Sequence, residues 1–262
     1  MPRQATKRPR LTAFDRRLLG EAPAVAGVDE AGRGALAGPV VAGAVHLSRD
    51  FYDTAACRKL RPLVRDSKQR TAEQREAAFA ALGEASARGG LVFATGAAGV
   101  EEIETLNILG ATRLAMKRAL DTLLERAGYA PDIWQEVEEG DLFFESSGDP
   151  RGTPRRPLIL VDGLPLRPFF YPHQAVVQGD ARSFAIAAAS IVAKVTRDAL
   201  MADMEEQFAD YGFAGHKGYG TPAHLEAIHR LGPCAQHRTV FLRKILIERV
   251  EKATVPLFEE FV

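Results

Sequence analysis

Residues 24–34 read AVAGVDEAGRG, an apolar run that ends in two adjacent acids, Asp29 and Glu30, and passes directly into a turn with two glycines. The run is rich in Ala and Val and predicts a buried strand. Successive side chains of a strand point to opposite faces. We therefore expect the backbone to break at the two acids, so that both carboxylates reach one site, with Gly32 and Gly34 permitting the break. The alternative is a strand followed by an ordinary acidic turn, and this motif alone does not choose between them.

Two further short strands are followed by an acid beside a glycine. Residues 158–161 (LILV) lead into Asp162, and a strand over 175–177 leads into Asp180. Ligand sites of α/β sheets gather at the carboxyl ends of strands, so these two acids and the pair in the first motif are expected to converge. Hard oxygen donors suit Mg²⁺ or Mn²⁺, and a divalent ion would offset their mutual repulsion. The alternative is that each acid is a separate turn residue or helix cap.

A four-carboxylate site of this kind favours phosphodiester hydrolysis. Two metal ions about 3.5 to 4 Å apart would activate a water molecule and stabilise the leaving oxygen in an in-line attack. The sequence shows neither a Ser-His-Asp set nor a G-x-x-x-x-G-K-[ST] loop, which disfavours acyl transfer and ATP-driven chemistry. Hydrolysis of a nucleic acid is therefore the chemistry that the pattern indicates.

Composition restricts the cellular setting but not the substrate. The 262 residues carry 34 basic and 34 acidic side chains, so attraction to nucleic acid would have to come from local patches. The two cysteines, Cys57 and Cys234, are far apart and suggest neither a disulfide framework nor a zinc site. With no signal peptide or membrane span in the sequence, we expect a cytoplasmic protein, and a monomer is the default.

Strands come early and helices alternate with the later strands, which favours an α/β sheet flanked by helices with a helical C-terminal extension. A capping box predicts one helix at Thr71, and a Thr-Pro pair predicts another at Thr221. The remaining predicted elements are strands over 39–47 and 91–95 and helices over 108–124 and 183–208. The second of these helices is apolar almost all round in its first half and must be buried.

Seven short motifs resemble those of bacterial ribonuclease HII, in the same order, over about residues 24 to 240. They are GVDEAGRG (27–34), DSK (66–68), LNILGAT (106–112), VDG (161–163), GDARS (179–183), AASIVAKVTRD (188–198) and HKGYGT (216–221). The resemblance implies a ribonuclease H-like fold, with a mixed five-stranded sheet. It also implies a catalytic domain over 21–210 and a helical substrate-binding extension over 211–262. Charge and composition, rather than the resemblance, predict a basic, flexible arm over 1–20 and an acidic surface insertion at 135–157.

The resemblance also implies roles for individual residues. The four metal-binding carboxylates of the family match the acids already selected from the strand ends: Asp29, Glu30, Asp162 and Asp180. Gly32, Arg33 and Gly34 match the loop whose backbone contacts the ribose 2′-OH, the group that separates RNA from DNA at the cut. Tyr219 matches the aromatic that stacks on the nucleotide after the ribonucleotide. Without the resemblance, Tyr219 would be interpreted as a surface or packing residue.

Weaker predictions concern the phosphate backbone, since a protein on a hybrid duplex binds mainly through phosphates. The candidates are Ser67, Lys68, Arg182 and Lys194. Lys194 lies on an apolar helix, where it could instead reach outward to solvent or pair internally. For His216, His224, His229 and His237 we favour capping, loop or phosphate roles over metal binding.

The hypothesis is an endonuclease that hydrolyses RNA in RNA–DNA hybrids and cuts 5′ of a single ribonucleotide in duplex DNA, leaving 3′-hydroxyl and 5′-phosphate ends. Mn²⁺ or Mg²⁺ would be the cofactor. The resemblance implies work in ribonucleotide and RNA-primer removal. Two alternatives are a structure-selective DNA nuclease or resolvase on the same fold and a hybrid-binding module without activity. The departures from the family pattern are Ala35, where many relatives have proline, the longer acidic insertion and the basic arm.

Overall fold

The computed structural model describes residues 11–65, 70–130 and 156–243. The strands are β1 (Ala24–Ala31), β2 (Val40–Ser48), β3 (Leu91–Ala98), β4 (Leu158–Asp162) and β5 (Gln174–Val176). The helices in chain order are α1 (Leu11–Leu19), α2 (Ala55–Val64), α3 (Ala72–Ala87), α4 (Val100–Arg126), α5 (Phe184–Gln207), α6 (Phe213–His216) and α7 (Pro222–Leu231). None of the helices in these described ranges is long and apolar enough to cross a membrane. The predicted insertion at 135–157 lies almost entirely outside the described residues.

The strands form one five-stranded sheet in the order β3-β2-β1-β4-β5. β1 pairs antiparallel with β2 and parallel with β4, and β4 pairs parallel with β5. Every residue of β1 except Glu30 is buried, as expected for a central strand. The predicted α/β fold, a mixed five-stranded sheet flanked by helices, is confirmed.

Helix α5 packs directly against the backbone of the sheet. A Cβ atom added to Gly27 on β1 would lie 2.2 Å from the carbonyl carbon of Ala185, and one added to Gly43 on β2 would lie 2.3 Å from the carbonyl oxygen of Ala189. Only glycine allows helix and strand to approach so closely. The residues from Phe184 to Ala189 are fully buried, which confirms the prediction of a buried helix.

The predicted helix starts are confirmed by their caps. The Thr71 side chain accepts a hydrogen bond from the Gln74 N–H, and the Gln74 side chain accepts one from the Thr71 N–H, which completes the capping box of α3. The Thr221 side chain accepts from the His224 N–H at the start of α7, and Pro222 occupies the first helical position.

Residues 11–19 correct the prediction of a flexible arm over 1–20, because they form α1. Asp15 of this helix is fully buried, accepts hydrogen bonds from the Tyr52 hydroxyl and the Ala185 N–H at 3.0 Å each, and so caps the start of α5. Burial raises the pKa of Asp15 to about 6. The partners lie far along the chain, so a local composition rule could not find them. Residues 1–10 of the predicted arm lie outside the described residues.

Helix α4 is longer than predicted and contains an interruption. The helix begins at Val100, but Asn107 has φ 57° and ψ 171°, which is not helical. The Asn107 side chain accepts hydrogen bonds from the N–H groups of Leu109 and Gly110 at 2.9 and 3.2 Å, and thereby caps the second segment. The apolar periodicity from Ile108 onward therefore identified this second segment only.

Two compact units divide the chain. Of the described residues, the first unit contains those up to Ala31 and those within Val41–Ala97 and Arg113–Thr196. The second contains those within Gly32–Val40 and Ala98–Thr112 and those from Arg197 onward. Arg197 opens the last segment of the second unit, and its side chain binds carbonyl groups of the 32–40 segment in the same unit. The functional boundary expected after residue 210 stays a prediction.

Candidate active site

The four predicted carboxylates lie in the first unit at the carboxyl ends of neighbouring strands. Asp29 and Glu30 are near the end of β1, and Asp162 is the last residue of β4. Val28 lies opposite Val161 in the parallel pair, so the acids that follow these two residues lie at the same edge of the sheet. Asp180 lies in a short 3-10 turn just after β5. Two adjacent strands and the turn that follows a third thus supply the four side chains.

The backbone does not break at the two adjacent acids, contrary to expectation. β1 continues to Ala31, with Asp29 opposite Gly43 and Glu30 opposite Ala42 of β2. The antiparallel pairing holds this end of β1 extended, and the positive φ of 91° comes later, at Gly32. Asp29 is only 4% exposed, and its Oδ1 accepts the Glu30 N–H at 2.8 Å.

The charge around Asp29 is unfavourable for an isolated carboxylate. Burial, followed by the negative charges of Glu30 and Asp162, raises the pKa of Asp29 well above its ordinary value. Hydrogen bonds from the Ser190 side chain and the Glu30 backbone act in the opposite direction but do not outweigh these effects. The ionised form of Asp29 therefore needs a positive charge nearby, which a bound cation would supply.

Asp162 and Asp180 are joined through the backbone of Gly179. The Gly179 N–H donates to Asp162 Oδ1 at 2.6 Å. A Cβ atom on Gly179 would lie 2.5 Å from the Ile186 side chain and 3.1 Å from Asp162 Oδ1, so a side chain there would have to displace the buried Ile186. This hydrogen bond holds the turn against Asp162. Asp180 follows Gly179 directly and is itself buried.

The oxygen donors suit a hard divalent cation by their chemistry. Within residues 11–65, 70–130 and 156–243, however, no group of three or more His, Cys, Asp or Glu side chains converges closely enough to form a ready-made metal cage. The structure brings Glu30 and Asp162 within electrostatic range of Asp29, and it ties the backbone of Gly179, the residue before Asp180, to Asp162. Direct coordination by all four carboxylates stays a prediction.

In the second unit, two buried arginines hold the glycine loop, residues 32–40, that contains Gly32, Arg33 and Gly34. Arg197 donates to the carbonyl oxygens of Pro39, Ala37 and Lys217 at 2.9, 3.1 and 2.9 Å. A Cβ atom on Gly32 would lie 2.0 Å from the Arg197 Nε, whereas one on Gly34 would meet no atom within 4 Å. The loop is therefore packed tightly at Gly32 and open at Gly34.

Arg238 is the second of these arginines. It donates to the Arg33 carbonyl oxygen at 3.0 Å and to the Gly38 carbonyl oxygen at 2.8 and 3.0 Å. Both guanidinium groups are fully buried, and burial, with the charge of Arg197, lowers the pKa of Arg238 to about 10. Sequence reasoning missed both residues. For Arg197 the available signal was a charged side chain that follows an apolar helical run, but the partners of neither arginine could be deduced from the sequence.

Tyr219 lies on the tyrosine loop, residues 216–221, also in the second unit. The Gly218 carbonyl oxygen accepts from the N–H groups of Leu36 and Ala37 at 2.8 and 3.3 Å, which joins the tyrosine loop to the glycine loop. The Arg197 guanidinium lies 5.2 Å from the centre of the Tyr219 ring. The predicted 2′-OH and stacking residues are thus brought together by one hydrogen-bonded framework.

The predicted phosphate contacts are scattered. Arg182 is exposed, donates to the Val177 carbonyl oxygen at 3.2 Å and stands 4.9 Å from the Phe14 ring. Lys194 is half-buried on α5. Ser67 and Lys68 lie outside the described residues. The structure therefore leaves these phosphate contacts as predictions.

Comparison with known proteins gives one consistent family. The family model described as ribonuclease HII matches residues 26–130 and 162–244. A ribonuclease HII of Syntrophotalea carbinolica is 43% identical over 217 residues, covering 83% of this chain and 84% of the relative.

Solved structures agree on the fold. The ribonuclease H2 of Pyrococcus horikoshii matches with a TM-score of 0.60 at 24% identity, over 87% of this chain and 99% of that one. Bst ribonuclease HIII in complex with Mn²⁺ matches with a TM-score of 0.58 at 17% identity, over 95% of this chain and 77% of that one. At these identities, the likeness concerns the fold.

Proposed function

The chain belongs to the ribonuclease HII family of endonucleases acting on RNA–DNA hybrids, and from this premise we propose that it also cuts 5′ of a single ribonucleotide within duplex DNA. The products are a 3′-hydroxyl and a 5′-phosphate. The observation that carries the proposal is Asp29, a carboxylate buried beside two other acids at the edge of the sheet, where it needs a cation.

Two divalent ions, Mg²⁺ or Mn²⁺, would be bound during catalysis. Their ligands would be the four carboxylates of Asp29, Glu30, Asp162 and Asp180. When bound, such ions activate the attacking water and stabilise the leaving oxygen. The protein's own contribution is to fix the acids: β1 and β4 hold three of them, and the Gly179 N–H orients Asp162. The fold neighbour solved with Mn²⁺ fits this class of ion.

Recognition of the ribonucleotide belongs to the second unit. The backbone of Gly32, Arg33 and Gly34 contacts the ribose 2′-OH, and Tyr219 stacks on the next nucleotide. The hydrogen bonds from Arg197 and Arg238 support this assignment, because they hold the loop carbonyls before any substrate binds. The cations Arg182, Lys194 and Lys68, with the hydroxyl of Ser67, contact backbone phosphates.

The cellular role follows from this substrate. The protein removes ribonucleotides misincorporated into DNA and remnants of RNA primers, acting as a monomer in the cytoplasm. Catalysis belongs to the domain predicted over 21–210, and the extension over 211–262 helps to hold the duplex.

The test is cleavage of a labelled DNA duplex with one ribonucleotide, beside an all-DNA duplex, in Mg²⁺, Mn²⁺ or a chelator. We expect metal-dependent cutting on the 5′ side of the ribonucleotide only. Extension of the product by a DNA polymerase checks the 3′-hydroxyl, and ligation checks the 5′-phosphate. Equal cutting of the all-DNA duplex would indicate a resolvase, and tight hybrid binding without cutting would indicate a binding module.

A further inference from the structure

Three histidines of the second unit form a stacked, hydrogen-bonded group next to the tyrosine loop. The rings of His216 and His224 are 4.1 Å apart and nearly parallel, and the Nε2 atoms of His224 and His237 are 3.1 Å apart. All three rings pack around Phe213, at 5.6 to 5.8 Å between ring centres. His224 and His237 are buried. The function proposed above uses none of these rings.

The hydrogen bonds determine which nitrogen of each buried ring carries a proton. The Cys234 N–H donates to His237 Nδ1 at 3.0 Å, so that this nitrogen is an acceptor. His237 must then donate from Nε2 to Nε2 of His224. His224 in turn donates from Nδ1 to the Tyr219 carbonyl oxygen at 2.9 Å. The three hydrogen bonds therefore all point the same way, from the Cys234 N–H through the two imidazole rings to the Tyr219 carbonyl oxygen.

His216 holds the same loop from another side. The Gly218 N–H donates to His216 Nδ1 at 3.1 Å, and His216 Nε2 donates to the Tyr211 carbonyl oxygen at 2.7 Å. Both the N–H of Gly218 and the carbonyl oxygen of Tyr219 are thus bound by imidazole rings. The peptide groups on the N- and C-terminal sides of this dipeptide are fixed, which restricts the direction in which the phenol ring leaves the backbone.

A second proton on either buried ring would break the arrangement. Protonated His224 and His237 would point two N–H groups at each other across 3.1 Å, and protonated His237 would oppose the Cys234 N–H. Burial lowers the pKa of both histidines to about 4, which agrees with neutral rings near pH 7. Neutral rings with both nitrogens engaged are poor phosphate ligands, so a structural relay fits the geometry better than contact with substrate.

We infer that His224, oriented by His237, is a positioning residue that holds the Tyr219 backbone so that its ring is presented to the nucleotide after the ribonucleotide. The inference rests on the stacking role proposed for Tyr219. It adds a determinant of substrate recognition that does not itself touch the substrate.

Two substitutions of His224 separate the donated hydrogen bond from the bulk of the ring. His224→Asn places an amide N–H near the position of Nδ1 and keeps the donor to Tyr219. His224→Gln places its amide near Nε2 and loses that donor. We expect His224→Gln to weaken binding of the single-ribonucleotide duplex about fivefold or more, with little change in kcat, and His224→Asn to retain most of the affinity.

A double-mutant cycle with Tyr219→Ala supplies the decisive comparison. Affinity is measured on a duplex carrying a fluorescent base analogue at the nucleotide after the ribonucleotide, in Ca²⁺ to prevent turnover, and the fluorescence reports stacking. We expect Tyr219→Ala to weaken binding about tenfold and to abolish the stacking signal. His224→Gln should then have no further effect in the Tyr219→Ala background.

The outcomes distinguish the two levels of the proposal. If Tyr219→Ala changes neither affinity nor fluorescence, the proposed function of Tyr219 fails. If Tyr219→Ala acts as expected but His224→Gln leaves affinity and fluorescence unchanged, or acts equally in both backgrounds, the positioning role fails alone. Should His224→Gln not fold at the assay temperature, His237→Asn carries the test, because it keeps the acceptor for Cys234 and loses the donor to His224.

Discussion

The carboxylates of the first unit and the loops of the second are built on opposite electrostatic principles. Asp29 lies buried beside Glu30 and Asp162, so like charges oppose one another. The glycine and tyrosine loops are held by arginine and histidine side chains whose donors meet carbonyl oxygens. The difference teaches that Asp29, one of the proposed metal ligands, needs a cation from solution, whereas the loops proposed for recognition are organised by hydrogen bonds within the chain itself.

The largest expected effect comes from removing a charge at the acids. Asp29→Asn should lower cleavage of the single-ribonucleotide duplex by roughly 10³-fold or more, because a group that organises transition-state stabilisation is lost. It should not lower the metal-free melting temperature, since the repulsion from Glu30 and Asp162 is relieved. Activity assays and thermal melts in chelator measure both. Asp203→Asn, at an exposed position on α5, is the matched control and should retain activity. Activity of Asp29→Asn close to the wild-type level would overturn the assignment.

Added metal should raise the melting temperature, and this rise should depend on the acids of the first unit. At an ion concentration about a hundred times the Kd, Mn²⁺ or Mg²⁺ should raise Tm by about 5 to 10 °C. Thermal melts of wild type and Asp162→Asn, each with metal and with chelator, test this. An equal rise in the variant would place the binding site elsewhere.

A smaller effect is expected from substitutions in the glycine loop, where the space beside Gly32 is filled and the space beside Gly34 is open. Gly32→Ala should lower the free energy of unfolding by about 2 kcal/mol, because φ is 91° and the new Cβ would strike the Arg197 side chain. Gly34→Ala should change it by about 0.5 kcal/mol or less, because the space beside that residue is open. Denaturant unfolding of the two variants compares them directly, and equal losses would contradict the tight packing described at Gly32.

The smallest effect concerns acid. The pKa values of His224 and His237 fall from 6.5 to about 4 in the folded protein, so the unfolded chain binds more protons between these values. Their contribution to stability is complete above about pH 6.5 and is lost as the pH falls towards 4. The raised pKa of Asp15 acts in the opposite direction. The test is therefore the difference between wild type and His224→Asn: wild type should lose more stability between pH 6.5 and 4, and parallel profiles would contradict the low pKa of His224.

Local patterns predicted the parts of the molecule that depend on neighbouring residues. The caps at Thr71 and Thr221, the buried strand before Asp29 and the apolar start of α5 all followed from short-range spacing. The four acids could be grouped because strand ends of a parallel arrangement meet at one edge.

What the sequence could not provide were contacts between distant segments. Asp15 binds the start of α5, and Arg238 binds the Arg33 carbonyl, about two hundred positions away along the chain. The hydrogen bonds through His224 join three segments of the chain, so its protonated nitrogen can be assigned only when all three segments have been placed. The expected break at Glu30 was wrong because pairing with β2 keeps that backbone extended.

The close approach of α5 to the sheet affects how mutational scans of this protein should be interpreted. Gly27 and Gly43 take no part in the proposed chemistry, yet every other amino acid would push the helix away from the strand. In a screen scored by cleavage alone, these positions would look as intolerant as Asp29. A parallel screen scored by protein abundance separates them, because glycine variants would deplete the folded protein whereas acid variants would leave it abundant and inactive.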